Sequence, residues 1–170
     1  VKAGHRVLGI DPGLANLGLG AVVELGRQEA ELILAELVHT PAKIALGERL
    51  ATIYQAVHAA IEQTQPHALA IEGQYFHRQR EASFKVGQAV GVALLAAQQL
   101  NIPVFTYGPM EVKQTLVGSG RADKTQVSYM VRALLGPDAA SKQAHHVSDA
   151  LALALTHLAR RRIDGHITGR

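Results

Sequence analysis

The 170-residue chain contains no cysteine. That absence excludes a disulfide scaffold and any thiolate metal site, and it suits a reducing cytoplasm. Long apolar runs are missing too. None reaches the roughly 20 residues that span a bilayer, and the N-terminus carries no signal-peptide pattern. The expectation is a soluble cytoplasmic protein. Aromatic residues are scarce, with four Tyr and three Phe. Two adjacent ones in a polar stretch, Tyr75 and Phe76 in "QYFHRQ" (74–79), therefore stand out. Repeats, low-complexity tracts and linkers are absent as well. One domain over residues 1–170 is expected, and a hydrophobic content of 48% is ample for its core. Residues 163–170 are polar and are expected to fray.

Charge is present but unevenly spread. Residues 1–72 hold five Lys/Arg and eight Asp/Glu, a net of −3; residues 73–170 hold twelve and six, a net of +6. A basic second part suits a polyanionic partner. It also fits a mixed solvated surface, so charge alone does not decide.

The apolar pattern gives an order of elements. Strands are expected over 6–11, 17–25 and 30–39, forming a meander. Leu46, Leu50, Ile53, Val57 and Ile61 recur at helical spacing and predict a helix over 44–65, which Pro66 stops. A strand over 67–72, a helix over 79–100 and a strand over 102–107 follow. Helices are then expected over 109–117, 123–135 and 146–162. The loop "GSGRAD" (118–123) separates two of them. This order predicts an α/β fold, a mixed five-stranded sheet flanked by helices.

Three acids occupy unexpected places. Asp11 ends the apolar strand "RVLGID", and Glu72 ends "HALAIE". Asp149 lies inside "HHVSDALALALTHL", the most hydrophobic helix. If the two strands are adjacent and parallel, Asp11 and Glu72 emerge at one sheet edge. Asp149 joins them if its helix packs across that edge. Three carboxylates so placed repel one another, and a divalent cation relieves the repulsion. Oxygen donors select Mg²⁺ or Mn²⁺. His146 and His145 stand three and four residues before Asp149, and spacing alone does not choose between them. An imidazole among the ligands moves preference from Mg²⁺ toward Mn²⁺. Taken singly, each acid is equally an ordinary turn or helix-surface residue. The joint pattern is what points to a metal centre.

These residues resemble the RuvC family of Holliday-junction resolvases. The likeness covers nearly the whole chain. It rests on "GIDPG" (9–13), "AIE" (70–72), "VGQAVGVAL" (86–94), "VKQTLVGSGRADKTQV" (112–127), "MVRALLG" (130–136) and "SDALALALTH" (148–157). The resemblance implies a ribonuclease-H-like fold, a homodimer and structure-selective cutting of four-way junction DNA. It implies two Mg²⁺ or Mn²⁺ ions per subunit, held by Asp11, Glu72, His146 and Asp149, with Asp11 as the bridging ligand. The histidine is a departure, since many members carry Asp there. Two such ions lie roughly 3.5–4 Å apart in enzymes of this kind. The family's functional lysines fall on Lys113 and Lys124, and its junction-opening aromatic falls on Tyr75, with Phe76 beside it. Arg78, Arg80, Lys85 and Arg121 are candidate DNA-backbone contacts. The triplet "RRR" (160–162) reads as a solvated helix end. Phe84, Gly87, Gly91 and Leu94 share one helical face, which packing on the sheet or the family's two-fold dimer would explain. Handover from the RuvA–RuvB branch-migration machinery is also implied.

Rival readings exist. "GIDPG" with the following Asn and Gly also resembles the phosphate loop of actin-like ATPases and sugar kinases, which need two lobes around the nucleotide. A non-catalytic junction binder and the smaller RuvC-like nucleases are the others. The intact acids argue against the first of these two, and the lysine-rich block argues against the second.

Overall fold

An apolar segment at Arg6–Asp11 forms β1, and the rest of the sheet is built on it. The computed structural model describes residues 4–26, 29–73, 80–139 and 145–167. After β1 come β2 (Asn16–Gly26), β3 (Glu29–His39), α1 (Leu46–Thr64), β4 (Ala68–Glu72) and α2 (Arg80–Gln99). Then follow β5 (Val104–Tyr107), α3 (Pro109–Val117), α4 (Lys124–Leu135) and α5 (His145–Ile167). The expected mixed five-stranded sheet is present, in the order β3-β2-β1-β4-β5. β2 runs antiparallel to β1 and β3, whereas β1, β4 and β5 are parallel neighbours.

Side chains alternate across a strand with period two, and this sheet uses the alternation to make two unlike faces. Leu8, Ile10, Leu17, Leu19, Leu69 and Ile71 point to one face. They pack against Ile53, Val57 and Ile61 of α1 and the alanines of α2, Ala89, Ala93, Ala96 and Ala97. The positions between them face the other way, and several are small: Gly9, Gly18, Gly20 and Ala70. There α5 lies in a trench. A Cβ on Gly9 would collide with the Ala150 carbonyl, one on Gly18 with the His146 carbonyl, and one on Gly20 would stand 2.6 Å from the Leu151 side chain. Over α5 lie α3 and α4, through Val112, Leu116, Val127 and Val131.

Helix ends follow local chemistry. α1 stops where Gln65 turns left-handed (φ 45°) and bonds its N–H to the Ile61 carbonyl, just before Pro66. α3 starts on Pro109 and ends at Gly118, φ 82°. α4 opens on a capping box between Asp123 and Gln126.

Three expectations are corrected. First, α5 continues to Ile167, past the expected end at 162, so the tail expected to fray is helical over 163–167. Residues 168–170 lie outside the described residues. Second, the "RRR" triplet is paired rather than simply solvated. Arg160 meets Glu111 at 3.2 Å, while Arg161 and Arg162 meet Glu24 at 3.2 and 2.5 Å. These bonds tie the helix end to β2 and α3 and carry it onward. Third, sheet packing does not explain the Phe84, Gly87, Gly91 and Leu94 face. α2 meets the core through its alanines, and these four residues are exposed, with open space around Gly87 and Gly91. Among the described residues, no helix is long and apolar enough to cross a membrane.

Candidate active site

In the β1–β4 register Ile10 stands opposite Ile71, so the next residues, Asp11 and Glu72, end the two strands side by side. Both share strand parity with Gly9 and Ala70, which puts them on the α5 face. Asp11 also pairs in register with Gly18 of β2, where the His146 backbone rests. The first turn of α5 is thereby set directly over the end of β1. The trench thus brings a helix-borne His and Asp to the sheet edge where two strand-borne acids end.

The contacts bear this out in pairs. His146 Nδ1 and Asp11 Oδ2 are 2.6 Å apart. Lys124 Nζ, on the first residue of α4, donates to Asp149 Oδ2 at 3.2 Å. The bond to Asp11 raises the proton affinity of His146. Burial raises that of Asp149, and the nearby Asp11 charge adds to the effect. Lys124 holds its proton more tightly chiefly because of Asp149, with further attraction from Asp11 and Glu72. One ammonium therefore feels all three carboxylates. Among the described residues, no three His, Asp or Glu side chains stand grouped as a ready-made ion cage. Shared edge and shared field link Glu72 to the rest.

Divalent cations fit this donor set. Hard oxygens from three acids create a negative field at one sheet edge. A His146 that donates Nδ1–H to Asp11 keeps a lone pair on Nε2, the way a carboxylate commonly orients a metal-binding histidine. Of the two histidines, His146 faces Asp11 and His145 is exposed. The glycine trench was not anticipated. Its signal was present: glycines at alternate positions 18 and 20 of a strand, and another at 9.

The remaining candidates are placed as follows. Lys124, not Lys113, makes the pair with Asp149; Lys113 is half-buried on α3. Arg121 is exposed in the loop between α3 and α4, and Lys85 is exposed on α2. Arg80 begins α2. Tyr75, Phe76 and Arg78 lie outside the described residues.

Over residues 7–157 the sequence matches the family described as Crossover junction endodeoxyribonuclease RuvC. The chain belongs to the RuvC family. A RuvC of Thermus thermophilus is 44% identical over 153 residues, covering 89% of this chain and 92% of that protein. A RuvC of Desulfitobacterium hafniense is 44% identical over 151 residues, covering 89% and 90%. The solved structure of T. thermophilus RuvC in complex with Holliday junction substrate superposes with a TM-score of 0.89 at 43% identity. That match covers 94% of this chain and 96% of the other. The RuvC fold is ribonuclease-H-like, as expected. RuvC proteins are metal-dependent DNA nucleases.

Proposed function

We propose that Asp11, Glu72, His146 and Asp149 hold two divalent cations, Mg²⁺ or Mn²⁺, at which four-way junction DNA is cut. The chain is a DNA endonuclease acting on Holliday junctions. The observation that carries the site reading is the meeting of the β1 and β4 ends with the first turn of α5, under a lysine that feels all three acids.

Bound ions of this kind supply an activated water and offset the charge on the leaving oxygen. The protein's own part is positional. Asp11 orients His146 through the Nδ1 bond. Lys124 stands at the carboxylate edge with its side chain 79% exposed, so its ammonium can pass from Asp149 to a phosphate. Lys113 on α3 and Arg121 in the loop that follows it add positive charge along the DNA path. Tyr75 or Phe76, following Glu72 in the chain, supplies the stacking surface that holds the junction open, worth roughly 1–3 kcal/mol per base. Arg78, Arg80 and Lys85 extend the phosphate contacts. The products are 5′-phosphate and 3′-hydroxyl ends.

Two copies pair through α2 in this reading. The exposed Phe84 and Leu94, with Gly87 and Gly91 between them, form an apolar strip, and a Cβ on either glycine would meet open space. A two-fold axis there sets two sites on opposed strands and produces symmetric nicks. The protein works in the cytoplasm, on junctions delivered by the RuvA–RuvB machinery.

The test is a synthetic mobile four-way junction incubated with Mg²⁺ and Mn²⁺ in parallel. Paired nicks whose ends religate directly are expected. Asp11→Asn should bind the junction as wild type does while cleavage falls by at least ~10²-fold. A variant that still cuts refutes the site. Tight Mg-ATP binding by the purified protein would instead favour the ATPase-like reading.

A further inference from the structure

The "GSGRAD" loop joining α3 to α4 is short and exposed, yet one side chain grips it at two places. Gln114 Nε2 donates to the Gly118 carbonyl at 3.0 Å, and the Gly120 N–H donates to Gln114 Oε1 at 3.1 Å. The Gln114 backbone carbonyl accepts from Gly118 N–H as well, at 3.0 Å. The same residue thus fixes both ends of one glycine and the amide of the next. Gln114 is exposed, so water would satisfy its carboxamide at no cost. Immobilising a long polar side chain costs rotamer entropy, so its yield lies in the shape of the loop.

That shape has a direction. Past Gly120 the chain is bonded at every step. Arg121 N–H donates to Ser119 Oγ at 3.3 Å, and Ala122 N–H to the Ser119 carbonyl at 3.0 Å. Ala122 is buried, and Asp123 closes the capping box with Gln126 at 2.9 Å in both bonds. The capping box alone secures Lys124 at the start of α4. What it does not secure is the arc 118–120, and with it the direction in which Arg121 leaves the loop. The Gln114 carboxamide spans that arc, from the Gly118 carbonyl to the Gly120 N–H.

We propose that Gln114 is a positioning residue for the cleavage reaction. It clamps the loop so that the Arg121 guanidinium meets a DNA phosphate beside the carboxylate edge. This rests on the nuclease reading of the site given above. Each phosphate contact contributes a slope of about −0.9 to the dependence of log K on log salt. A purely structural residue lowers stability and leaves that slope alone.

The experiment measures junction binding in EDTA across a salt series, with melting temperature recorded alongside. Gln114→Ala is expected to keep the wild-type melting temperature and lose about one unit of slope, as Arg121→Ala does. The double variant should be no worse than Arg121→Ala alone. Gln114→Glu keeps an acceptor for Gly120 but sets a carboxylate against the Gly118 carbonyl, and it should lose the same slope. A wild-type slope in both Gln114 variants, or additive losses in the double variant, overturns the proposal. Plain duplex carried through the same series separates the two readings. A wild-type protein that does not prefer the junction sinks the junction reading, while the slopes still decide the clamp.

Discussion

His146 carries the most chemical information of any single residue. Its Nδ1 is 2.6 Å from Asp11, which couples it to the strand-end acid. Imidazole is a softer donor than carboxylate and suits Mn²⁺ better than Mg²⁺. His146→Asp should therefore remain a nuclease and move toward Mg²⁺. Its Mn²⁺-to-Mg²⁺ ratio of junction-cleavage rates is expected to fall about tenfold, or ~1.4 kcal/mol in barrier. An unchanged ratio would show that His146 does not touch the metal. His145→Ala should cut normally, since His145 is exposed. The sequence could name both histidines but not choose, because residues three and four before Asp149 lie on the same side of a helix. The choice depends on how far α5 slides along β1, which is a tertiary fact.

Secondary-structure elements were the most legible level. β1 and α3 fall on their expected residues, and other boundaries shift mainly by one or two positions, because strand alternation and helical spacing are local patterns. The fit between elements was not legible. Gly9, Gly18 and Gly20 look like weak points in their strands until α5 is laid on them, and then they set the depth of the site. The extension of α5 was hidden similarly, since its partners Glu24 and Glu111 lie far away in sequence. Gly18→Ala tests the trench directly. The added methyl meets the His146 backbone carbonyl, which cannot rotate away as a side chain would. A loss of about 1–3 kcal/mol in urea unfolding is expected. Cleavage should fall further at temperatures where the variant remains folded, because His146 shifts off Asp11. Gly47→Ala is the control. No atom lies within 4 Å of its would-be Cβ, so stability should hold or rise by up to ~1 kcal/mol.

Across the whole molecule, the sheet separates two kinds of titrating group. The C-terminal edge of the parallel strands carries the carboxylates, and the N-terminal edge carries imidazoles. His5 precedes β1, His67 precedes β4, and His157 comes from α5. His5 stacks on His67 at 4.9 Å and on His157 at 5.9 Å between ring centres. Tyr107 holds His157 Nδ1 at 2.7 Å, and His67 Nδ1 accepts the Arg6 N–H at 3.0 Å. Burial, then Arg161 and the two neighbouring histidines, push the His5 pKa down from 6.5 to about 4, against a small pull from Glu24. Burial lowers His157 too, with Arg161 adding to it. Between pH 6.5 and about 4 the unfolded chain binds a proton at His5 that the folded chain refuses. Stability is therefore complete above the unfolded value, declines as pH falls through this window, and stops declining from this source below about pH 4. Carboxylates throughout the protein also respond to acid, so the informative quantity is a difference. His5→Phe keeps a ring in the stack and removes the proton site. Its melting temperature should fall less steeply than that of wild type between pH 6.5 and 4, and the two curves should run parallel above that range. Curves that stay parallel through the window would mean that the imidazole stack admits its proton without strain. The acid sensitivity of the fold would then originate outside the stack.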